Sequence, residues 1–327
     1  MIKKEEVKPT YKVLQVMEEL KSQIRDGEEF IDSFDRQKLI SQIGSIELMT
    51  RECGLRIDDQ IVLDAGCGFG TRSMLFAILG AKKVYAVDVD GKRLNGVKSH
   101  LESWELIYSF LKNIELSLSE IQNFSPFLAP TLIYSNEIVS HLWDREKFYN
   151  HSYDILSEKG ILYISDTNNS LNKRISSQRN TLWNKAEAPN GTIHQGRKKF
   201  IKSNFPELKD SEVDYLTTNT CYQKPDEIIS AIKYYIAQGK LERESRFIEG
   251  TAPLDPEYDF LPCEGLIDSF ETKKYLENLG FRVKIFPHFC GAKRPVLRPV
   301  NSFSQLFPLS VSLKYARAVH IVATKCS

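Results

Sequence analysis

IVLDAGCGFGTRSMLFAILGA, residues 61–81, is the stretch whose reading decides the fold. An apolar run ends in an acid, Asp64, and glycines follow at every second position, Gly66, Gly68 and Gly70. The run before the acid suits a strand buried on both faces, and the pattern from Thr71 suits a helix. Glycines between strand and helix permit positive φ and let backbone approach a ligand closely. In an open parallel sheet, a ligand binds at the carboxyl ends of the strands, near the switch point.

Outward from this stretch the rhythm repeats. KVYAVDV (83–89), TLIYSN (131–136) and GILYISD (160–166) are short, β-rich and nearly all apolar, and helical patterns lie between them. NIELSL (113–118) is a weaker strand candidate. Alternating strand and helix predicts an α/β doubly wound domain with a parallel sheet. Upstream, apolar spacing predicts amphipathic helices over 11–26 and 35–52. After Asp166 the alternation stops, to resume with a helix closed by Gly280, a strand to 289, and a last strand over 316–325. Connections in α/β units usually run about 2–6 residues, so a gap this long is expected to be a functional subdomain. The expected organisation is an N-terminal helical cap (1–58), a core (59–166), an insertion serving substrate binding or as a lid (167–267), and a completion of the sheet (268–327).

The composition narrows the function classes. Of 327 residues, 42% are hydrophobic and 27% charged, with a formal net charge of +1, so no global field attracts nucleic acid or membrane. Six scattered cysteines (Cys53, Cys67, Cys221, Cys263, Cys290, Cys326) form no C-x-x-C pair and read as reduced thiols of a cytoplasmic protein. The charged start, MIKKEEVKPTYK, has no apolar core of a signal peptide, and no stretch approaches the ~18 apolar residues of a membrane span. His141, His151, His194, His288 and His320 are dispersed along the chain, so no metal site is expected.

Two cofactor classes use a glycine loop of this kind. The dinucleotide pattern G-x-G-x-x-G fits at Gly66 and Gly68 but meets Thr71 at its third position. The acid followed by G-x-G-x-G, here LDAGCGFG, instead resembles the class I S-adenosylmethionine-dependent methyltransferases. The resemblance extends to Asp88, which ends VYAVD 24 residues beyond Asp64, to LIYSNEIVSHL, and to the ending LENLGFRVKIF with AVHIVATK. It covers about residues 60–160 and 268–325. It implies a Rossmann-like, seven-stranded sheet and S-adenosyl-L-methionine as cofactor. Residue by residue, it implies that Ala65 and Gly66 line the methionine portion, with Cys67, Gly68 and Gly70 completing a close-approaching loop. Asp64 organises that loop, Asp88 binds the ribose hydroxyls and Val89 packs on the adenine. The acid that often meets the adenine amino group is replaced by LSLSE, which leaves Ser119 or Glu120 for that contact. Asn136 offers its backbone carbonyl to the cofactor's amino group. Asp90 is expected to cap the helix that starts at Gly91.

Methyl transfer is an in-line displacement with a neutral thioether leaving, so positioning dominates and a base matters only when the acceptor must lose a proton. His141 is the candidate base, because imidazole can accept a proton at neutral pH. Glu137 is a candidate binder of cofactor or acceptor, and Asp166 is a further candidate beside it. The chain reads SNEI where amino-methylating relatives carry N-P-P-Y or D-P-P-Y, which argues for other acceptors. Residues 167–209 hold nine Lys/Arg against Glu187 and Glu207, a stretch that would attract an anionic acceptor unless acids elsewhere balance it. Within it, Arg197, Lys198 and Lys199 form the densest cluster. The expected function is methyl transfer to an oxygen or nitrogen of a small molecule or glycan. RNA or protein methylation and a non-catalytic cofactor-binding scaffold are the alternatives, and neither a membrane nor bulk nucleic acid is an expected partner.

Overall fold

The computed structural model describes residues 9–25, 27–258, 260–289 and 306–326. Cys290 and the first eight residues, on which the thiol and leader readings partly rest, lie outside the described residues. The chain divides into two compact units. One takes the described residues up to Ile138, Asp144–Thr167 and those from Ser269 onward; the other takes Val139–Trp143 and Asn168–Asp268.

The first unit is built on a seven-stranded sheet. In chain order its strands are β1 (Ile61–Ala65), β2 (Lys83–Asp88), β3 (Ile114–Leu118), β4 (Leu132–Asn136), β5 (Ile161–Asp166), β8 (Phe281–His288) and β9 (Ala318–Lys325), with β6 and β7 belonging to the second unit. They lie side by side as β3-β2-β1-β4-β5-β9-β8. The first five pair in parallel, and β9 runs antiparallel to both β5 and β8. Chain order reverses direction between β1 and β4, which is the switch point where such sheets bind ligands. Of the edge strand β3 only Ile114 is buried, which is why its apolar signal in the sequence is weak.

Helices α1 (Pro9–Ser22), α2 (Glu28–Ser33) and α3 (Arg36–Cys53) precede the sheet. The sequence pattern overran α1 at its end and did not separate α2. Asp35 caps α3, accepting from the amides of Gln37 and Lys38 at 2.9 and 3.0 Å, and Gly54 ends it at φ 66°. Val13, Met17, Leu20, Leu39, Ile46 and Met49 share one apolar core with Val62, Leu75, Val84 and Trp104. That core includes side chains from α4 (Thr71–Ile78) and α5 (Gly91–Ile107). Asp90 caps α5 as its position predicted, accepting from the Arg93 amide at 3.0 Å. α6 (Arg145–Ile155), α11 (Ser269–Asn278) and α12 (Leu309–Tyr315) complete the unit.

The second unit is helical where the sequence showed no readable rhythm. It contains α7 (Lys173–Glu187), α8 (Thr192–Asn204), α9 (Asp210–Asn219), α10 (Pro225–Gln238) and a pair of two-residue strands, β6 (Leu254–Asp255) and β7 (Leu261–Pro262). Ile201, Phe205, Val213, Leu216, Ile228, Ile232 and Phe260 form its own core. Its two chain ends are joined: the Ile267 amide donates to the Asn168 carbonyl at 2.7 Å, and the Ser170 amide to the Ile267 carbonyl at 3.0 Å. Among the described residues, no helix is long and apolar enough to cross a membrane.

Candidate active site

β1 delivers the glycine loop to the switch point. Gly66, Gly68 and Gly70 all take positive φ, at 70°, 57° and 66°, a region closed to most side chains. The reasons differ by position. A Cβ on Gly66 would stand 2.1 Å from Ile138 Cδ1, so the loop needs a bare backbone there. A Cβ on Gly68 would meet nothing within 4 Å, so that face of the loop is open. Gly70 is the N-cap of α4, and its carbonyl takes the Met74 amide at 2.9 Å.

The loop closes on Asp88. The Gly68 amide donates to Asp88 Oδ2 at 2.7 Å, and the Asp90 amide donates to Oδ1 at 2.9 Å. The amides of Gly66 and Cys67 both donate to the Val87 carbonyl, at 2.8 and 3.0 Å. The carboxylate at the end of β2 is thus oriented by backbone and keeps further lone pairs for other donors. Next to it Val89 is half exposed, an apolar side chain with no core to join. The Ser119 amide donates to the Asp88 carbonyl at 3.0 Å, which brings Ser119 beside the same strand end, while Glu120 is exposed and accepts from Asn123.

Asp64 lies under the loop rather than on it. It is fully buried and accepts from Ser73 Oγ at 2.6 Å. Burial pushes its carboxyl up to about 6, against the pull of Ser73 and Arg72. Cys67 is buried as well, and burial raises its thiol far above the usual range, so it is an inert filler of the loop. Ala65 is buried at the end of β1 and can offer only backbone.

On β4, Asn136 ends the strand half-buried, and Glu137 follows at φ 59°. A glutamate in this left-handed region is held there by its surroundings. Its amide donates to the Ser165 carbonyl at 2.8 Å and its Oε2 accepts from Thr167 Oγ1 at 2.8 Å. Asp166 is buried at the end of β5. His141 belongs to the second unit, in a short 3₁₀ turn (Val139–His141), with Nδ1 3.3 Å from the Pro262 carbonyl. A carbonyl only accepts, so in the neutral imidazole Nδ1 carries the hydrogen and Nε2 keeps its lone pair.

The sequence reading missed Arg72. It lies in the first turn of α4, its charge pulls the pKa of Asp64 and of Tyr134 downward, and its buried Nε has no hydrogen-bond partner among the described residues. A buried unpaired guanidinium nitrogen fits an anionic ligand group. Together, the open face at Gly68, the exposed Val89 and the orphaned Arg72 nitrogen fit a ligand with ribose, apolar ring and carboxylate parts.

The basic stretch of the second unit is more tightly paired than its sequence suggested. Arg197 is not a free cation. It is buried and forms a two-pronged pair with Glu187 at 3.0 and 2.7 Å, its Nε donating to the Thr217 carbonyl. Lys198 pairs with Asp214 at 2.5 Å, Lys202 with Asp210 at 2.6 Å, and Arg179 with Glu264.

Residues 58–209 match a family described as a methyltransferase domain. The match takes in the glycine loop, Asp88 and strands β1–β5, the part of the chain whose sequence resembles the S-adenosylmethionine-dependent methyltransferases. A Mycobacterium tuberculosis protein named "Probable S-adenosylmethionine-dependent methyltransferase Rv3030" is 29% identical over 107 residues, 33% of this chain and 35% of that one. Protein arginine N-methyltransferase 6 of Danio rerio is 30% identical over 120 residues, 34% of each. The matches thus span about a third of these curated relatives. A crystal structure of an S-adenosylmethionine-dependent methyltransferase from Clostridium acetobutylicum aligns over 88% of this chain and 92% of its own, at 14% identity and a TM-score of 0.46.

Proposed function

We propose that the protein transfers the methyl group of S-adenosyl-L-methionine to an oxygen or nitrogen of a small molecule or glycan. The observation that carries this reading is the clasp between the Gly68 amide and the Asp88 carboxylate at the switch point of the sheet. Asp88 accepts the two ribose hydroxyls, Val89 covers the adenine and Ser119 meets its amino group. Ala65, Gly66, Cys67, Gly68 and Gly70 let the methionine portion lie against bare backbone. Asp64 supports the loop and faces the cofactor's positive charge, the Asn136 carbonyl takes its amino group, and the Arg72 guanidinium its carboxylate. The cofactor supplies a methyl carbon on a sulfonium, a group that leaves as a neutral thioether. Glu137 orients the acceptor, and His141, five residues beyond Asn136 in the chain, accepts the proton that the acceptor loses. Residues 167–267, read as an insertion into the sheet domain, select the acceptor, and free thiols fit a cytoplasmic setting.

Calorimetric titration tests the cofactor assignment. Saturable binding of S-adenosylhomocysteine without appreciable NAD binding is expected; NAD binding with no response to S-adenosylhomocysteine would overturn it. Transfer of labelled methyl to panels of hydroxylated and amino small molecules then tests the acceptor class. Protein methylation is the second reading, favoured by the similarity to the zebrafish arginine methyltransferase, and label appearing in protein substrates alone would promote it.

A further inference from the structure

Far along the sheet from the glycine loop, the fold gathers three side chains that the sequence leaves widely separated. Glu52 comes from the last turn of α3, His288 ends β8, and His320 lies on β9. Phe286 faces His320 across the β8–β9 pair and Ala318 faces His288, so the two histidines lie on one face of the sheet. Glu52 Oε1 is 2.6 Å from His288 Nε2, and Oε2 is 2.9 Å from His320 Nδ1. The two imidazoles stack with centroids 3.8 Å apart, and all three side chains are buried. One potential ligand atom from each residue falls within 4.8 Å of the others.

We infer that Glu52, His288 and His320 form a binding site for one divalent transition-metal ion, with Zn²⁺ the best match. Two imidazole nitrogens and a carboxylate oxygen are a donor set suited to zinc, whose bonds to them are about 2.0–2.2 Å long. The nitrogens facing the carboxylate carry the hydrogens of its two short contacts, and one ion replaces both. Tyr163 completes the surroundings from β5, its hydroxyl 3.1 Å from Glu52 Oε2 and 2.7 Å from His320 Nδ1. A hydroxyl donating to a ligand carboxylate is the outer partner that metal sites employ. The site is separate from the glycine loop and ties α3 to β8 and β9, so its role is to hold the N-terminal helix against the C-terminal strands.

The test uses the full chain, stripped with a chelator and titrated with ZnCl₂ and CoCl₂. One ion per chain should bind saturably, and cobalt should develop the intense visible absorption of a four- or five-coordinate site. Absence of saturable zinc binding by the folded protein would overturn the site and leave a purely hydrogen-bonded triad. His320→Gln and Glu52→Gln should each weaken zinc by more than the about 10–100-fold that loss of an outer partner costs. Undiminished zinc binding by folded variants would equally overturn it. If the variants fail to fold, X-ray absorption on the zinc-loaded wild-type protein decides: two imidazole ligands support the assignment, and none overturns it.

Discussion

At the residue scale the site depends on backbone geometry as much as on side chains. Gly66 and Gly68 are both left-handed, but only Gly66 also lacks room. Left-handed backbone costs a side chain about 1–2 kcal/mol. Gly68→Ala should lose about that much stability, whereas Gly66→Ala should lose more because Ile138 must move; chemical denaturation measures both. Asp88→Ala removes a charged acceptor worth about 1.5–3 kcal/mol, and S-adenosylhomocysteine affinity should fall about 10- to 150-fold. An unchanged dissociation constant in the folded variant would show that another residue holds the ribose. Asp64 carries a pH signature. Its folded carboxyl sits near 6, above the unfolded value, so the folded chain holds the proton more tightly. Its contribution to stability is therefore complete below the unfolded value, near pH 4, and is lost as pH rises through 6. The loss approaches about 3 kcal/mol for this group taken alone. A cationic cofactor favours the carboxylate, so cofactor affinity should rise as pH climbs through 6. Asp64→Asn should flatten both trends, and a variant with the wild-type slope would exclude Asp64 as their origin.

At the scale of elements, the second unit is held by pairs that its composition hides. Removing one partner of a buried ion pair costs about 3–5 kcal/mol, while an exposed pair is worth about 0–1 kcal/mol. Arg197→Ala should therefore lower the melting temperature strongly, and Lys199→Ser should leave it nearly unchanged. Equal effects would show that the Glu187 pair is not what anchors α7 to α8. The elements that the sequence made legible are those whose chemistry is contiguous. The strand, loop and helix of residues 61–78 carry their pattern and their glycines in one run, and Asp88 closes the next strand. The helices α7 to α10 were not separable because no strand runs alternate with them to mark their limits. The role of Arg197 was hidden for another reason: Glu187 and Thr217 meet it only through tertiary packing. The Glu52 and His320 contact spans 268 positions, and no local pattern announces it.

At the scale of the whole molecule, charge argues against non-specific partners. With a net charge of +1, and with Arg179, Arg197, Lys198 and Lys202 of its basic stretch each paired to a carboxylate, the protein should not retain unrelated RNA at physiological salt. A gel shift at micromolar protein would overturn that and make RNA the acceptor to test first. The order of the sheet also has a consequence for synthesis. β9 lies between β5 and β8, and Ile161 pairs with Thr324. At about 5–20 residues per second, a ribosome needs roughly 8–33 s to make the chain between them. Throughout that interval β5 presents a bare edge, and β8, once made, has nothing to pair with until β9, its one neighbour in the sheet, follows. Bare edges invite pairing with other chains. A stop codon placed just before Ala318 would therefore leave a nascent product with two unsatisfied strands, prone to capture by chaperones or to aggregation even though most of its sheet has already been made.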